Sequence, residues 1–234
     1  MSMTQSLVQQ QCMTLRSGML GLGERVREAL QRSLDALRNT DLPLAQAIVL
    51  GDREINRERR MLEQQALVVL AAFRPAGSDL RLVGGSLEMI SEMERMGDYA
   101  ADIARALLRL APDRLPGEPL QQCLELGEAA IAMFESALDA YAQDADASGA
   151  RLVGAADPAV DRAEQELIGA VLSWLRDHPE QARAGVTLLS IAHGYERVAD
   201  RATNLAERII YIATGETPDL DDASIVHASS SVQA

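Results

Sequence analysis

The amino-acid sequence predicts an all-α protein made of two pseudo-symmetric three-helix bundles. Helix-forming residues such as Ala, Leu, Arg, Glu and Gln dominate the composition, while aromatic residues make up only 3%. Apolar residues recur with a helical period along the chain, and no alternating β-branched run bounded by hairpin turns interrupts them. In addition, the second half of the chain repeats motifs of the first half.

Breaks in the periodic pattern divide the chain into six helices of roughly 25 to 35 residues. In chain order, the five breaks are NTDLP (39–43), RPAGSD (74–79), APDRLPGEP (111–119), QDADASG (143–149) and DHPE (177–180). Each contains Pro, Gly, Asn or Asp, which favour turns and helix ends. The proline-rich third break separates three helices from three. We therefore predict one three-helix repeat over 1–113, a second over 117–215 and a disordered acidic and Ser-rich tail over 216–234.

The two halves share a pattern of carboxylate and amide residues. ERMGDYAADIA (94–104) aligns without gaps with ERVADRATNLA (196–206), and DREIN (52–56) aligns with DPAVD (157–161). The offsets are 102 and 105 residues, which a three-residue difference in one connection explains. Each half thus has one E/DxxxD/N element on its second helix and another on its third, and antiparallel helices can place such elements side by side. The paired residues are Asp52, Asn56, Glu94, Asp98 and Asp102 in the first half and Asp157, Asp161, Glu196, Asp200 and Asn204 in the second.

These carboxylate rows indicate a cation site, because like charges four residues apart on a helix repel each other. Glu94 and Glu196 lie on faces shared with apolar residues, so we expect both to be partly shielded from water and to need a partner or a proton. Oxygen ligands favour magnesium, calcium, manganese or ferric iron. The alternative is a solvated stripe with ion pairs to Arg105 or to the next helix. His193 shares a face with Asp200 and could join a metal site, although a local structural role is commoner for such a histidine.

Composition and motifs disfavour several classes of function. A net charge of −13, from 35 acidic and 22 basic residues, disfavours a nucleic-acid partner and favours cations or basic protein surfaces. The sequence has no Glu-x-x-His pair, P-loop, nucleophile elbow or Rossmann fingerprint, so an enzyme is not indicated. Its two cysteines form no CxxC motif, which fits a reducing cytoplasm, and its longest apolar run, ALVVLAAF (66–73), is too short to span a bilayer.

The repeated motifs resemble those of the PhoU family, accessory regulators of bacterial phosphate uptake. Members carry a motif close to ERIGDHAxNIA in each of two three-helix repeats, preceded in the first repeat by PVASDLR; this chain has RPAGSDLRLV (74–83) before ERMGDYAADIA. The resemblance covers residues 5–215. It implies a commonly dimeric pair of bundles whose E/DxxxD/N elements, here the ten residues paired above, hold metal clusters. The implied cofactor is multinuclear iron, with magnesium, manganese or zinc as alternatives.

The resemblance further implies a non-enzymatic adaptor at the inner face of the cytoplasmic membrane, attached there through its partners. It would relay phosphate sufficiency from the ATPase subunit of a phosphate ABC transporter to a sensor histidine kinase, keeping the starvation response off. The alternatives are service to another phosphate carrier, a carboxylate-bridged metal enzyme such as a phosphatase or oxidase, and a metal-free helical scaffold. Tyr99 and Arg201 stand where the family motif has His. An inward-pointing Arg201 would oppose a cation in the second half.

Overall fold

The structure, a computed structural model, describes residues 3–110, 115 and 117–220. Six α-helices and one short 3-10 turn account for nearly all of this part of the chain, and it contains no strand. The elements are α1 (Met3–Asn39), α2 (Leu42–Phe73), α3 (Ser78–Leu110), α4 (Gly117–Ala142), α5 (Ala147–Asp177), the 3-10 turn (Pro179–Gln181) and α6 (Ala182–Thr214). The predicted all-α fold is confirmed, and the helices end at the predicted breaks.

Equivalent aspartates begin the second helix of each half. Asp41 accepts a hydrogen bond from the backbone N–H of Leu44 through Oδ1 at 2.9 Å, which caps α2. Asp146 caps α5 by accepting from the N–H groups of Ser148 and Gly149 at 2.9 and 3.1 Å. Such caps satisfy donors that have no partner inside the helix. The two helices that carry the upstream motifs therefore start in the same way, 11 residues before each motif.

The six helices share one continuous hydrophobic core. Helices α1, α2 and α3 pack into the first bundle, and α4, α5 and α6 pack into the second. Helices α3 and α6 also pack extensively against each other, while α1 and α4 make a smaller contact between the bundles. Tyr195 of α6 is fully buried, and its hydroxyl lies 3.2 Å from Ser33 Oγ of α1. The two repeats therefore form one packed unit.

Helices α3 and α6 run antiparallel at the centre of the molecule. The early part of α3 meets the late part of α6 at Gly85, where an added Cβ would lie only 2.8 Å from Ile212. At the opposite ends, a Cβ on Gly194 would lie 3.0 Å from Ile103. The two glycines allow close approach of the helices at both ends of the contact. Because equivalent helices meet in opposite directions, the two halves are arranged as a pseudo-twofold pair.

The residues after α6 return to the second bundle. The backbone N–H of Leu220 donates to Glu207 Oε1 at 2.9 Å, and Glu216 forms an ion pair with Arg151 at 3.1 Å. Residues 216–220 of the predicted tail therefore contact α5 and α6. Residues 221–234 lie outside the described residues, as do 111–114 and 116 of the predicted third break. Within the described ranges, no helix is sufficiently long and apolar to cross a bilayer.

Candidate metal centre

The predicted ligand residues lie where α2 packs against α3 and where α5 packs against α6. The helices of each pair are antiparallel neighbours, so the polar rows of their facing sides come together. The first cluster comprises Asp52, Asn56, Glu94, Asp98 and Asp102, and the second cluster comprises Asp157, Asp161, Glu196, Asp200 and Asn204.

The acidic side chains of the first cluster are close enough to affect each other's ionisation. Burial raises the pKa of Asp98, and the negative charges of Glu94 and Asp52 raise it further. Burial also raises the pKa of Asp52, an effect that the positive charge of Arg105 opposes. Asn56 Nδ2 donates to the backbone carbonyl of Asp52 at 3.2 Å and to its Oδ2 at 3.3 Å. The buried Oδ1 of Asp52 accepts no hydrogen bond from the described residues.

Two arginines supply positive charge to the first cluster. Arg59 Nε lies 3.4 Å from Glu94 Oε1, and the side chains of this pair are only 26% and 15% exposed. Arg59 also donates through Nη1 to Glu63 Oε1 at 2.6 Å. At the outer end, Arg105 pairs with the exposed Asp102 at 2.6 Å. The first half therefore contains both kinds of ion pair that the sequence offers as the alternative to a metal: one to Arg105 and one to the neighbouring helix.

Glu196 of the second cluster lies in a group of three potential metal ligands together with Glu164 and His193, which adjoin the cluster. One ligand atom from each lies within 4.8 Å of the others. His193 Nδ1 lies 3.3 Å from Glu164 Oε1 and 3.1 Å from Glu196 Oε2. Sequence reasoning considered His193 but missed Glu164. The signal was present, because Glu164 follows Asp157 by seven residues and so shares its face of α5.

Glu196 is a strongly perturbed acid of the second cluster. Burial raises its pKa to about 7, with further contributions from the carboxylates of Asp200, Glu164 and Asp161, while His193 opposes the shift. The Glu196 side chain is 16% exposed, as the sequence led us to expect. Its Oε2 is buried and, within the described residues, accepts no hydrogen bond. A shielded carboxylate oxygen among other carboxylates provides a favourable position for a cation.

The other acids of the second cluster extend it from the interior to the surface. Asp157 is half-buried, and its Oδ1 accepts from Thr203 Oγ1 at 3.3 Å, which links α5 to α6. Asp200 is half-buried, and Asp161, one turn after Asp157, is exposed. The cluster is therefore open to solvent at one side, through which an ion could enter.

The residues that depart from the family motif lie at the α3–α6 contact. Arg201 Nη1 donates to Glu92 Oε2 at 3.1 Å, and Asn204 Nδ2 donates to the same oxygen at 3.3 Å. The guanidinium of Arg197 stacks over the Tyr99 ring at 5.1 Å. Arg201 thus faces α3 and does not oppose a cation in the second cluster. The amide nitrogen of Asn204, predicted as a ligand residue, is likewise engaged at the helix contact.

The chemistry of the second cluster fits a metal ion better than that of the first. A carboxylate-rich set with one imidazole suits manganese, iron or zinc, and the buried Glu196 Oε2 accepts no hydrogen bond from the described residues although His193 Nδ1 lies 3.1 Å away. In the first cluster, Arg59 already provides a positive partner for Glu94. Bound metal would supply positive charge that joins α5 to α6 through shared ligands.

Comparisons with known proteins agree with this duplicated architecture. The PhoU domain model matches the chain twice, over residues 19–107 and 123–209. The phosphate-specific transport system accessory protein PhoU homologue of Rhizobium meliloti is 31% identical over 202 residues, covering 86% of this chain and 84% of that protein. The homologue of the same name from Streptococcus pneumoniae is 32% identical over 207 residues, covering 88% of this chain and 95% of that protein.

Solved structures agree with this result. The crystal structure of the phosphate transport system regulatory protein PhoU from Streptococcus pneumoniae has a TM-score of 0.83 and 31% identity, covering 91% of this chain and 99% of that one. PhoU from Pseudomonas aeruginosa has a TM-score of 0.85 and 28% identity, covering 89% of this chain and 99% of that one. Two matched domains and similarity over most of the chain lead to one conclusion: this chain belongs to the PhoU family.

Proposed function

We propose that this chain is an accessory protein of a phosphate-specific transport system. It relays phosphate sufficiency from the ATPase subunit of the transporter to a sensor histidine kinase and keeps the phosphate-starvation response off. The supporting observation is that both repeats match the PhoU domain and the chain is similar over most of its length to accessory and regulatory proteins of phosphate transport. Those relatives are named as accessory or regulatory proteins, which supports a non-enzymatic role.

The surface chemistry is compatible with an adaptor that docks onto basic partners. The net charge of −13 favours association with positively charged protein surfaces and disfavours nucleic acid. Attachment at the inner face of the cytoplasmic membrane would then occur through the transporter and the kinase. We expect the protein itself to be a homodimer, as the family resemblance implies.

Metal ions bound by the acidic clusters would have a structural or regulatory part in this function. A cation between α5 and α6 would reduce the repulsion among their carboxylates and fix the relative position of the two helices. Helix position would in turn determine the shape of the surface presented to a partner. Metal analysis of purified protein should therefore show less bound metal in a D98A/D200A double variant than in the native chain. Equal metal content in the two proteins would contradict metal binding by the clusters.

The regulatory proposal can be tested in cells that lack this protein. A phosphate-starvation reporter should be active at high phosphate in such cells and should be repressed again when the native chain is supplied. Affinity capture of the tagged chain at high and low phosphate should recover the transporter ATPase and the kinase. Failure to recover either partner, together with an unchanged reporter, would refute the adaptor function. Hydrolysis of a phosphate ester that depends on Glu196 would instead favour the metal-enzyme alternative.

A further inference from the structure

The two clusters carry opposite charges at one pair of equivalent positions on α2 and α5. The offset of 105 residues that pairs Asp52 with Asp157 also pairs Arg59 with Glu164. Each lies seven residues after its aspartate and therefore on the same helix face. A guanidinium in the first half thus corresponds to a carboxylate in the second half, a difference of two charges.

The residues around Arg59 and around Glu164 also differ between the two halves. Arg59 contacts Glu94 and donates to Glu63, and the residue equivalent to Glu63 in the second half is Ile168. Glu63, the second carboxylate partner of Arg59, therefore has a counterpart neither in type nor in charge in the half that lacks the arginine. In the second half, His193 approaches Glu164 and Glu196, whereas its equivalent in the first half is Ser91. The imidazole is accordingly present only in the half that has the extra carboxylate.

Because of these differences, the first cluster has positively charged side chains beside its carboxylates, whereas the second has an additional carboxylate. In the first cluster, the Arg59 guanidinium lies beside the shielded Glu94, and Arg105 lies beside the outer Asp102. The buried Oδ1 of Asp52 accepts no hydrogen bond from the described residues, although Asn56 Nδ2 donates to the other carboxylate oxygen of Asp52 at 3.3 Å. In the second cluster, the equivalent of the Arg59 position adds a negative charge instead of a positive one.

We infer that the two clusters have diverged: Arg59 serves as the built-in cation of the first cluster, and metal binding is confined to the second. Glu164 and His193 complete the metal site there with Glu196. A mixed carboxylate and imidazole set suits manganese, ferrous iron or zinc more than magnesium, which prefers oxygen ligands. This inference rests on the proposal that the clusters bind cations and is independent of the partners in phosphate regulation.

Manganese binding to the full-length chain tests the inference directly. The protein is stripped with a chelator, and Mn²⁺ uptake is measured by equilibrium dialysis and metal analysis. E164R gives the second cluster the charge of the first and should weaken Mn²⁺ binding at least tenfold. E166R makes the same charge change two residues away, on a different face of α5, and should alter the affinity less than twofold. Circular dichroism verifies that both variants remain folded.

The reverse exchange should create a second metal site. R59E/E63I gives the first cluster the residues of the second at these two positions and should increase Mn²⁺ uptake per chain above the native value. R57E/E63I, with its charge change on another face of α2, should not. D98N should leave Mn²⁺ uptake unchanged in the native background but remove the added uptake from R59E/E63I.

Different outcomes would contradict the divergence of the clusters, the role of Glu164 and metal binding as such. Native protein that loses half of its Mn²⁺ on D98N would overturn the divergence while retaining metal binding by both clusters. Equal binding by the native chain and E164R would overturn the assignment of Glu164. A folded native chain that takes up no Mn²⁺ in equilibrium dialysis would overturn metal binding itself. None of these results depends on transporter or kinase, so regulation in cells is tested separately.

Discussion

Replacement of Arg59 by methionine is expected to destabilise the protein by about 2 kcal/mol. Methionine retains much of the aliphatic length of arginine but removes the guanidinium that contacts Glu94 and Glu63. The shielded Glu94 carboxylate would then face Asp98 without its positive partner. The loss should therefore reflect a stranded negative charge more than a loss of packing.

The burial of the pair determines this magnitude. Removing one partner of a fully buried ion pair costs about 3–5 kcal/mol, whereas an exposed pair contributes roughly 0.2–1 kcal/mol. The Arg59 and Glu94 side chains are 26% and 15% exposed, so water screens their charges in part. Arg57 provides a matched control, because it pairs with Glu54 at 2.7 Å but the two side chains are 67% and 59% exposed. R57M should cost no more than about 0.5 kcal/mol.

Urea denaturation of chelator-treated protein measures both effects. The midpoint should fall clearly for R59M and only slightly for R57M, with the slope of unfolding unchanged for both. R59M/E94Q should recover part of the lost stability, because the second substitution removes the stranded charge. If R59M and R57M lowered stability equally, or if E94Q gave no recovery, Arg59 would not act as the cation of the first cluster.

Asp98, Tyr195 and the two cysteine thiols are shielded from water, and each can be tested by substitution or modification. D98N should stabilise the protein at pH 8 by a few tenths of a kcal/mol but not at pH 3.5, as measured by denaturation at both values. The pKa of Asp98 is raised in the folded state, so the folded state binds the proton more tightly than the unfolded state does. Native stability therefore falls as the pH rises above the pKa that Asp98 has in the unfolded chain, and D98N removes this loss. Y195F should cost about 1 kcal/mol through loss of the Ser33 contact, and S33A should reduce the effect of Y195F in a double-mutant cycle. Cys12 and Cys123 are buried with raised thiol pKa values, that of Cys123 to about 12, so a disulfide reagent should modify them only when the chain unfolds.

The fold was predictable because its determinants are local and repeated. Turn residues mark each break, helical periodicity is continuous between the breaks, and the equivalent caps Asp41 and Asp146 begin equivalent helices. The shielding of Glu94 and Glu196 was also predictable, since residues seven positions away on each helix are apolar or small. These properties depend on one helix at a time, which is the information that periodicity contains.

The contacts between helices were less predictable. A helical wheel of α3 places Glu94 on a face but does not identify Arg59 of α2 as its neighbour. The alignment of the halves pairs Asn204 with Asp102. In the structure, the Asn204 amide donates to Glu92 of α3. The position equivalent to Glu92 in the second half is Gly194, so Asp102 has no matching carboxylate across the helix contact. The internal repeat contains the information that Arg59 and Glu164 are equivalent positions of opposite charge, because they are 105 residues apart, as Asp52 and Asp157 are.

The position of α3 and α6 gives this difference between the halves a mechanical consequence. Glu196 of α6 lies in a group with Glu164 of α5, whereas Arg201 and Asn204 of the same helix donate hydrogen bonds to Glu92 of α3. Helix α3 in turn carries Glu94, whose Oε1 lies 3.4 Å from Arg59 Nε of α2. On the proposed assignment, metal would alter the α5–α6 junction while the α2–α3 junction stays constant. The second repeat would then be the responsive half of the protein, and the first would be the fixed support against which α6 moves.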